Sequence, residues 1–281
     1  MNHAGFILQH DKGIVVFLEI ALDFMKTIVL QSFRTTDIPY WLQSCLDSTK
    51  RWALASGWEY ELLDDSFFDM APGWIHERCK GNIYALTDVC RLQWLSDKLS
   101  AGYERVIWAD ADILVFAPQY LELSQCENYA FAGELFLQVF QDGRVKPVHG
   151  INNALMMFEQ QQTILQTYLD TCIDRLQKLP AGVVPRTELG PSMLTEFNQD
   201  NPLNVIDGVG LFTLAIMQDI AVGNGNLCKE YKRHSSAPMG AANLCHFLRN
   251  NAPVNKRPKF DLLYDNAVNK LLTSKGEIIN S

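Results

Sequence analysis

The stretch Arg105-Val-Ile-Trp-Ala-Asp-Ala-Asp112 is the part of this chain that decides its fold, because an apolar run ends there in two alternate aspartates. Side chains alternate between faces along a strand, but where the strand passes into a turn both carboxylates can converge on one cation. Acidic oxygens completed by water suit Mg²⁺ or Mn²⁺, and such an ion is most useful where it bridges substrate phosphates. We therefore predict a divalent-metal site at Asp110 and Asp112. Alone, an Asp-x-Asp is more often a turn or a solvated strand end, so the neighbouring segments decide the interpretation.

The composition is that of a soluble globular chain. It has 281 residues, of which 48% are hydrophobic, and its net charge of −8 argues against nucleic-acid binding, which needs a basic face. The seven cysteines are scattered without metal-binding spacing, which favours thiols in a reducing compartment and hence a cytoplasmic site. No segment reaches the roughly 18 apolar residues that span a bilayer, so no transmembrane segment is expected, while peripheral contact with a membrane stays open.

Two parts of unequal size are expected, an N-terminal extension over residues 1–24 and a single domain over residues 25–281. Residues 13–24 are apolar, but Glu19 and Asp23 interrupt them and the features of a signal peptide are missing. We expect a helical or poorly ordered extension that the fold does not need. Met25 then directly precedes the first core strand.

Alternating strand and helix patterns predict an α/β fold with a mainly parallel central sheet flanked by helices. Strands are expected at residues 26–31, 58–63, 105–109, 130–134 and 154–158, and helices at 39–57, 82–99, 160–177 and 262–272. Residues 64–81 have no clear period and are expected to form a loop. Ligands of such sheets sit beyond the carboxyl ends of the strands, where Asp110 and Asp112 fall.

The most regular helical pattern, at residues 82–99, contains Thr87-Asp-Val-Cys-Arg91. Asp88 and Arg91 are three residues apart and share a helix face, so by themselves they predict an intrahelical ion pair. Followed by the Asp-x-Asp strand, this helix resembles glycosyltransferases of the GT-A fold with a DXD motif, over residues 26–249 and most strongly over 80–116. The resemblance implies that Asp88 and Arg91 reach the ribose and sugar of a nucleotide sugar, and that Asp110 contacts it as well as the metal.

Two later segments extend the resemblance. In Ile151-Asn-Asn-Ala, Asn153 resembles the asparagine at the strand entry of retaining GT-A enzymes, where its amide suits sugar hydroxyls, although the two asparagines alone could form a turn. Glu188-Leu-Gly-Pro resembles the Thr-Gly-Pro helix start of the transferases that include fungal α-mannosyltransferases and clostridial glucosylating toxins. Gly190 and Pro191 would then place backbone N–H groups against the donor. Leu189 replaces the usual threonine.

His246, in the apolar run Ala242-Asn-Leu-Cys-His-Phe, is either a core residue or a third metal ligand. Many GT-A enzymes close the metal shell with a late histidine, and an imidazole ligand would favour Mn²⁺ over Mg²⁺. The resemblance also offers Arg249 and Lys256 as cations for the diphosphate.

The sequence thus predicts a metal-dependent glycosyltransferase that moves a hexose from a nucleotide-diphosphate sugar, with retention, to a carbohydrate, lipid-linked or protein acceptor. Mn²⁺ or Mg²⁺ is the expected cofactor, and no nucleophile is assigned. Two alternatives stay open. One is a phosphohydrolase of the haloacid-dehalogenase type that uses the Asp-x-Asp, although Leu114 stands where that family has Thr or Val. The other is a non-catalytic nucleotide-sugar-binding protein.

Overall fold

The computed structural model of the protein describes residues 25–121, 123, 126–223 and 225–281, and the backbone of residues 5–8 and 16–19. The strands are β1 Gly5–Leu8, β2 Val16–Glu19, β3 Thr27–Ser32, β4 Glu59–Leu63, β5 Arg105–Ala109, β6 Ile113–Val115, β7 Tyr129–Val139, β8 Val145–Glu159, β9 Val205–Leu211 and β10 Ala241–Asn243. The helices are α1 Tyr40–Ala55, α2 Gly73–Arg78, α3 Ile83–Ser100, α4 Ile164–Lys178, α5 Met193–Asp200, α6 Leu214–Val222, α7 Asn226–His234, α8 His246–Asn251, α9 Arg257–Thr273 and α10 Glu277–Asn280.

An eight-stranded sheet in the order β4-β3-β5-β8-β7-β9-β10-β6 forms the centre of the molecule. Four of its neighbouring pairs are parallel and three are antiparallel. The predicted α/β class with a mainly parallel sheet is therefore confirmed. The long β7–β8 hairpin that supplies much of the antiparallel part was not predicted.

Helices cover both faces of the sheet. Alternate residues of β3 and β5 enter two different apolar clusters, with Ile28 and Leu30 in one and Val29 in the other. Helices α3 and α4 contribute to the first cluster, and α1 contributes Trp52 to the second. This alternation is the pattern of a strand buried on both faces, which explains its continuous apolar sequence.

The turn after β5 joins two distant positions in the sheet order. Strand β5 is third and β6 is eighth, yet only residues 110–112 separate Ala109 from Ile113. So short a connection spans little more than 10 Å, so the sheet must curl until its last strand approaches the end of β5. The two aspartates of the motif lie in that connection, at the place where the curled sheet closes on itself.

Most predicted elements agree with the structure to within a few residues, but β7, β8 and α9 are longer than predicted and two segments differ in kind. Residues 64–81, expected to be a loop, contain a 3₁₀ turn at Asp65–Phe68 and the helix α2. In the N-terminal extension, β1 and β2 pair as an antiparallel ribbon where a helical or poorly ordered extension was expected, and the rest of residues 1–24 lies outside the described residues. All seven cysteines are free thiols, and five are buried. No helix in the described part of the chain is both long and apolar enough to cross a bilayer.

Candidate active site

A cleft of about 630 Å³ opens beyond the carboxyl ends of β3 and β5. Its walls come from the start of α3, the segment before α5, the β7–β8 hairpin and the start of α8. The structure brings seven of the eight predicted site residues to this cleft: Asp88, Arg91, Asp110, Asp112, Asn153, Pro191 and His246. The eighth, Gly190, is buried directly behind Asn153.

Arg91 on α3 is the centre of a buried polar cluster. Its guanidinium lies 3.1 Å from Asp88 Oδ1 and 2.9 Å from Asp110 Oδ1, and it donates to the carbonyl oxygen of Asn153 at 2.9 Å. The expected Asp88–Arg91 ion pair exists, but both side chains are only 6% exposed, so it lies in the cleft wall and not on an outer helix surface. Burial alone would lower the pKa of Arg91, whereas the charges of Asp110 and Asp88 raise it. Arg91 is therefore a permanent cation that holds two carboxylates.

Asn153 is brought to this cluster by an irregularity in β8. The register between β7 and β8 shifts between Phe131 and Ala132, which leaves residues 153–155 of β8 without partners on β7. This bulge, and not the turn considered above, places the Asn153 amide 2.8 Å from Asp88 Oδ1, to which it donates. Burial raises the pKa of Asp88 to about 6, against the lowering effects of Arg91 and of this hydrogen bond.

Asp110 and Asp112 are held separately, each by one oxygen. Trp108 Nε1 donates to Asp110 Oδ1 at 2.7 Å, the same oxygen that faces Arg91. The backbone N–H of His246 donates to Asp112 Oδ2 at 2.6 Å. Burial raises the pKa of both carboxyls, and the nearby charge of Asp110 contributes to a pKa of about 6 for Asp112. Mutual repulsion of this kind is relieved by a bound cation.

His246 stands at the start of α8 and touches the aspartate pair through its backbone. The residue before it, Cys245, has a left-handed backbone with φ of 54°, which directs the His246 N–H to Asp112. The imidazole packs at ring distances of 5.4 Å from Phe33 and 5.8 Å from Trp41. Burial, followed by the charge of Arg249, lowers its pKa to about 4, so the ring is neutral at pH 7. Its buried Nε2 has no hydrogen-bond partner among the described residues.

This set of groups fits a divalent cation only if the substrate adds further ligands. In the described part of the chain, no group of three or more His, Cys, Asp and Glu side chains is arranged to hold a metal ion. Asp110 and Asp112 supply hard carboxylate oxygens, and the unpartnered nitrogen of His246 is the type of donor that Mn²⁺ accepts. One or two carboxylates combined with substrate phosphates and water is the usual arrangement for an ion that bridges a diphosphate. The assignment of all three side chains as metal ligands stays a prediction.

The Gly190-Pro191 segment shapes the cleft but does not offer the N–H groups that the helix-start pattern suggested. The N–H groups of Gly190 and Ser192 both donate to the carbonyl oxygen of Thr187, at 3.2 and 3.1 Å. A Cβ on Gly190 would lie 3.0 Å from both polar atoms of the Asn153 amide. Gly190 is therefore needed for space beside Asn153, while Pro191 lines the cleft itself.

The cations that line the cleft differ from those suggested by the sequence. Arg249 forms two hydrogen bonds with Asp261, at 2.6 and 2.7 Å, and Lys256 does not line the cleft. Arg186 lines the cleft instead of Arg249 and Lys256, and its guanidinium lies 3.8 Å from the ring centre of Phe247. No spacing rule connects Arg186 with the DXD motif, because it lies in an irregular loop whose path is set by tertiary packing.

Glu134 on β7 is a further cleft residue that the sequence analysis did not identify. Asn152 Nδ2 donates to its Oε1 at 2.7 Å, and burial raises its pKa to about 7. The available signal was a single charged residue in the apolar run Ala130-Phe-Ala-Gly-Glu-Leu-Phe. Without knowledge of the hairpin, that run did not indicate the face on which the carboxylate would lie.

No protein-family model matches the chain, and no curated protein sequence matches it. Among solved structures, it is similar to a glycosyltransferase involved in the glycosylation of the major capsid of PBCV-1, with 11% identity and a TM-score of 0.43 over 85% of this chain and 99% of that one. It is also similar to mouse xyloside xylosyltransferase 1 in its apo form, with 12% identity and a TM-score of 0.39 over 79% of this chain and 98% of that one. Both likenesses are remote, so a functional assignment has to come from the side chains of the cleft.

Proposed function

We propose that this protein is a metal-dependent glycosyltransferase of the GT-A type, which moves a hexose from a nucleotide-diphosphate sugar to an acceptor hydroxyl with retention. One observation supports the proposal above all others. The Asp88, Arg91 and Asn153 side chains share one cleft with Asp110 and Asp112, at the carboxyl ends of β3 and β5. These are the residues that the DXD resemblance assigns to the donor and to the metal, although they come from three separate parts of the sequence.

The cleft suits a large polar donor. Its volume of about 630 Å³ lies within the usual range of small-molecule sites. Asp88 and Asn153 offer a carboxylate and an amide to the hydroxyls of a ribose or hexose. At the rim, Arg186 and the aromatic rings of Tyr84 and Phe247 provide positive charge for phosphates and flat surfaces for a base.

Charge handling is the main chemical task of such a site. A divalent ion, when bound, stabilises the negative charge that the leaving nucleoside diphosphate acquires. The residues hold their own part of this arrangement in advance. Trp108 and Arg91 fix Asp110 through Oδ1, and the His246 N–H fixes Asp112 through Oδ2. In each aspartate the second carboxylate oxygen is left for a ligand.

The contacts of Asp110 argue against the phosphohydrolase alternative. In that chemistry the first aspartate of an Asp-x-Asp attacks phosphorus as an ionised carboxylate. Here Trp108 donates to its Oδ1 and Arg91 pairs with the same oxygen, and both contacts draw charge from the whole carboxylate and so lower its nucleophilicity. A non-catalytic binding protein would keep donor affinity without turnover, and the hydrolysis assay below distinguishes the two.

The test measures binding and donor hydrolysis with UDP-glucose, UDP-galactose and GDP-mannose, each with Mn²⁺, with Mg²⁺ and with EDTA. We expect at least one donor to raise the melting temperature by several degrees in the presence of metal, and to be slowly hydrolysed. Asp112→Asn removes one anionic ligand and should abolish hydrolysis and the Mn²⁺ dependence of the shift in a folded protein.

Asp142→Asn is the matched control, because Asp142 is exposed on the β7–β8 turn and, among the residues that the structure describes, pairs only with Arg144. It should behave as the wild type does. The proposal is wrong if no nucleotide sugar binds to or is hydrolysed by the wild-type protein, or if Asp112→Asn leaves hydrolysis unchanged.

A further inference from the structure

Glu134 is a carboxylate of the cleft that the donor-binding cluster does not use. Its partner Asn152 is itself oriented, because Asn152 Oδ1 accepts from the backbone N–H of Ala154 at 2.9 Å. The Asn152 amide therefore has to present its NH₂ group to Glu134, as the 2.7 Å contact shows. Glu134 in turn has to present an acceptor oxygen to Asn152, which leaves its second oxygen for the cleft.

The electrostatic surroundings of Glu134 differ from those of the other acids. Asp88 and Asp110 both lie within 3.1 Å of Arg91. In the described part of the chain, no Lys, Arg or His nitrogen lies within 4 Å of Glu134. An acid in a low-dielectric site without a cation exchanges its proton near neutral pH, which is the property required of a general base.

Glu134 lines the cleft together with Asp112 and Cys245, and it borders a second recess. Burial, and then the charges of Asp112 and Glu134, raise the pKa of the Cys245 thiol. A smaller cavity of about 190 Å³ also touches Glu134 and is lined by polar residues that include His149, Asp207 and Ser236. Glu134 therefore stands between the donor cleft and a second polar cavity.

We propose that Glu134 is the catalytic residue that accepts the proton of the incoming acceptor hydroxyl. This inference rests on the proposed glycosyl transfer. The acceptor oxygen forms a bond to the anomeric carbon on the face from which the diphosphate departs, so that the configuration is retained, and the bond between that carbon and the diphosphate oxygen breaks. The bonding pair leaves with the nucleoside diphosphate, and the hydroxyl proton moves to the Glu134 carboxylate. Water can replace the acceptor in the same step, so donor hydrolysis depends on the same group.

The proposal predicts a pH dependence with a defined sign. Burial raises the pKa of Glu134 to about 7, and only the ionised carboxylate accepts a proton, so the rate should rise as pH rises through about 7. The other titratable groups around Glu134 are Asp88 and Asp112 in the cleft, Tyr231 on α7, Cys245 after β10, and His149 and Asp207 in the smaller cavity. Burial raises the pKa of Asp88 and Asp112 only to about 6, so any rise in rate that they cause lies about one pH unit lower and stays in Glu134→Gln. Burial raises the pKa of both Tyr231 and Cys245 well above neutrality, so neither group causes the rise in rate near pH 7.

The experiment compares Glu134→Gln with wild type, using whichever of the three nucleotide hexoses the wild type hydrolyses. Glutamine keeps an acceptor oxygen for Asn152 but cannot take the proton. We expect kcat to fall by about 100-fold or more, while the Kd for the donor changes less than twofold. The rise in the hydrolysis rate near pH 7, which is the acid limb of the plot of rate against pH, should disappear. Glu134→Asp should recover part of the rate. Glu77→Gln, at an exposed position on α2, and His149→Gln are the controls and should keep both the rate and the limb.

Wild-type kcat and an intact acid limb in Glu134→Gln would overturn the assignment of Glu134 while leaving the proposed transfer in place. If the glutamine variant does not fold, the wild-type profile and Glu134→Asp decide, and a flat wild-type profile between pH 6 and pH 8 overturns the assignment. A wild-type protein that neither binds nor hydrolyses a donor overturns the proposed function and this role together.

Discussion

Two parts of the cleft, here named the Arg91 end and the Glu134 end after their central residues, treat buried negative charge in different ways. At one end Asp88 and Asp110 share the guanidinium of Arg91, and Asn153 and Trp108 donate to the same two carboxylates. At the other end Glu134 has an amide partner and, among the described residues, no cation within 4 Å. Charge at the Arg91 end is partly compensated inside the protein by a cation that is present at every pH the fold tolerates. Charge at the Glu134 end depends on pH and on what is bound.

This difference matters because binding and proton transfer have different requirements. Groups that recognise a donor gain from a fixed geometry and a fixed charge, since little is reorganised on binding. A proton acceptor has to change its charge during the reaction, so it gains from a pKa near the working pH. The Arg91 end satisfies the first requirement and the Glu134 end satisfies the second.

Removal of the cation at the Arg91 end should have the largest effect. Arg91→Met keeps most of the side-chain volume but leaves the buried Asp88 and the partly exposed Asp110 beside each other without a cation. We expect a loss of about 3–5 kcal/mol in the free energy of unfolding at pH 8, because uncompensated buried charge is expensive. The loss should be smaller at pH 5, because burial raises the pKa of both carboxyls and protonation reduces the uncompensated charge. Urea denaturation at the two pH values measures both quantities.

Arg175→Met is the matched control for this variant. Arg175 also bridges two carboxylates, those of Glu188 and Glu196, but its side chain is 30% exposed. Exposed ion pairs contribute at most about 1 kcal/mol, so this variant should lose no more than that. Similar losses for the two arginine variants would show that Arg91 is not a buried charge centre.

Asp88→Asn separates recognition from packing at the same end of the cleft. Asparagine keeps an acceptor oxygen for Asn153, and Arg91 keeps Asp110 as its counter-ion. Since burial raises the pKa of Asp88 to about 6, its charge is already unfavourable in the folded protein, so the loss of that charge should not lower the free energy of unfolding. If Asp88 binds the donor, hydrolysis should still fall at least tenfold, as an enzyme assay paired with calorimetric donor titration would show. Near-normal kinetics would reduce Asp88 to a structural ion-pair partner.

The same contrast explains which parts of the site the sequence could predict. Asp88, Arg91, Asp110 and Asp112 lie in or directly after regular elements, a helix with a clear 3.6-residue period and an apolar strand. The α/β rule that ligands gather beyond the carboxyl ends of strands places Asp110 and Asp112, while the resemblance to DXD glycosyltransferases assigns Asp88 and Arg91 to the same site. The sequence alone could therefore predict these four residues of the cleft.

Glu134 and Arg186 could not be predicted in this way. Glu134 reaches the cleft because β7 and β8 form a long hairpin with a register shift, and no local pattern marks that shift. Arg186 lies in a loop that tertiary contacts position against Phe247. The N–H groups of the Gly190 segment failed as predicted donors for a related reason, since a local turn closes on the Thr187 carbonyl. Long-range pairing and loop closure are the two determinants that neighbouring residues do not encode.

The smallest expected effect is a gain in stability from Glu134→Gln. The pKa of Glu134 is raised in the folded protein to about 7, so between about pH 4.5 and pH 7 the folded state holds a proton that the unfolded chain has released. The free energy of unfolding of the wild type therefore falls as pH rises through this window, and the loss is complete above pH 7. Glutamine carries no charge and avoids this loss. The variant should therefore be more stable than wild type by about 1 kcal/mol at pH 8, after allowance for solvent in the open cleft. At pH 4.5 the two proteins should unfold at nearly the same urea concentration, and Glu77→Gln should show no such pH-dependent difference. If Glu134→Gln were less stable than wild type at pH 8, a favourable interaction of the ionised Glu134 would have to exist, and the contrast between the two ends of the cleft would be wrong.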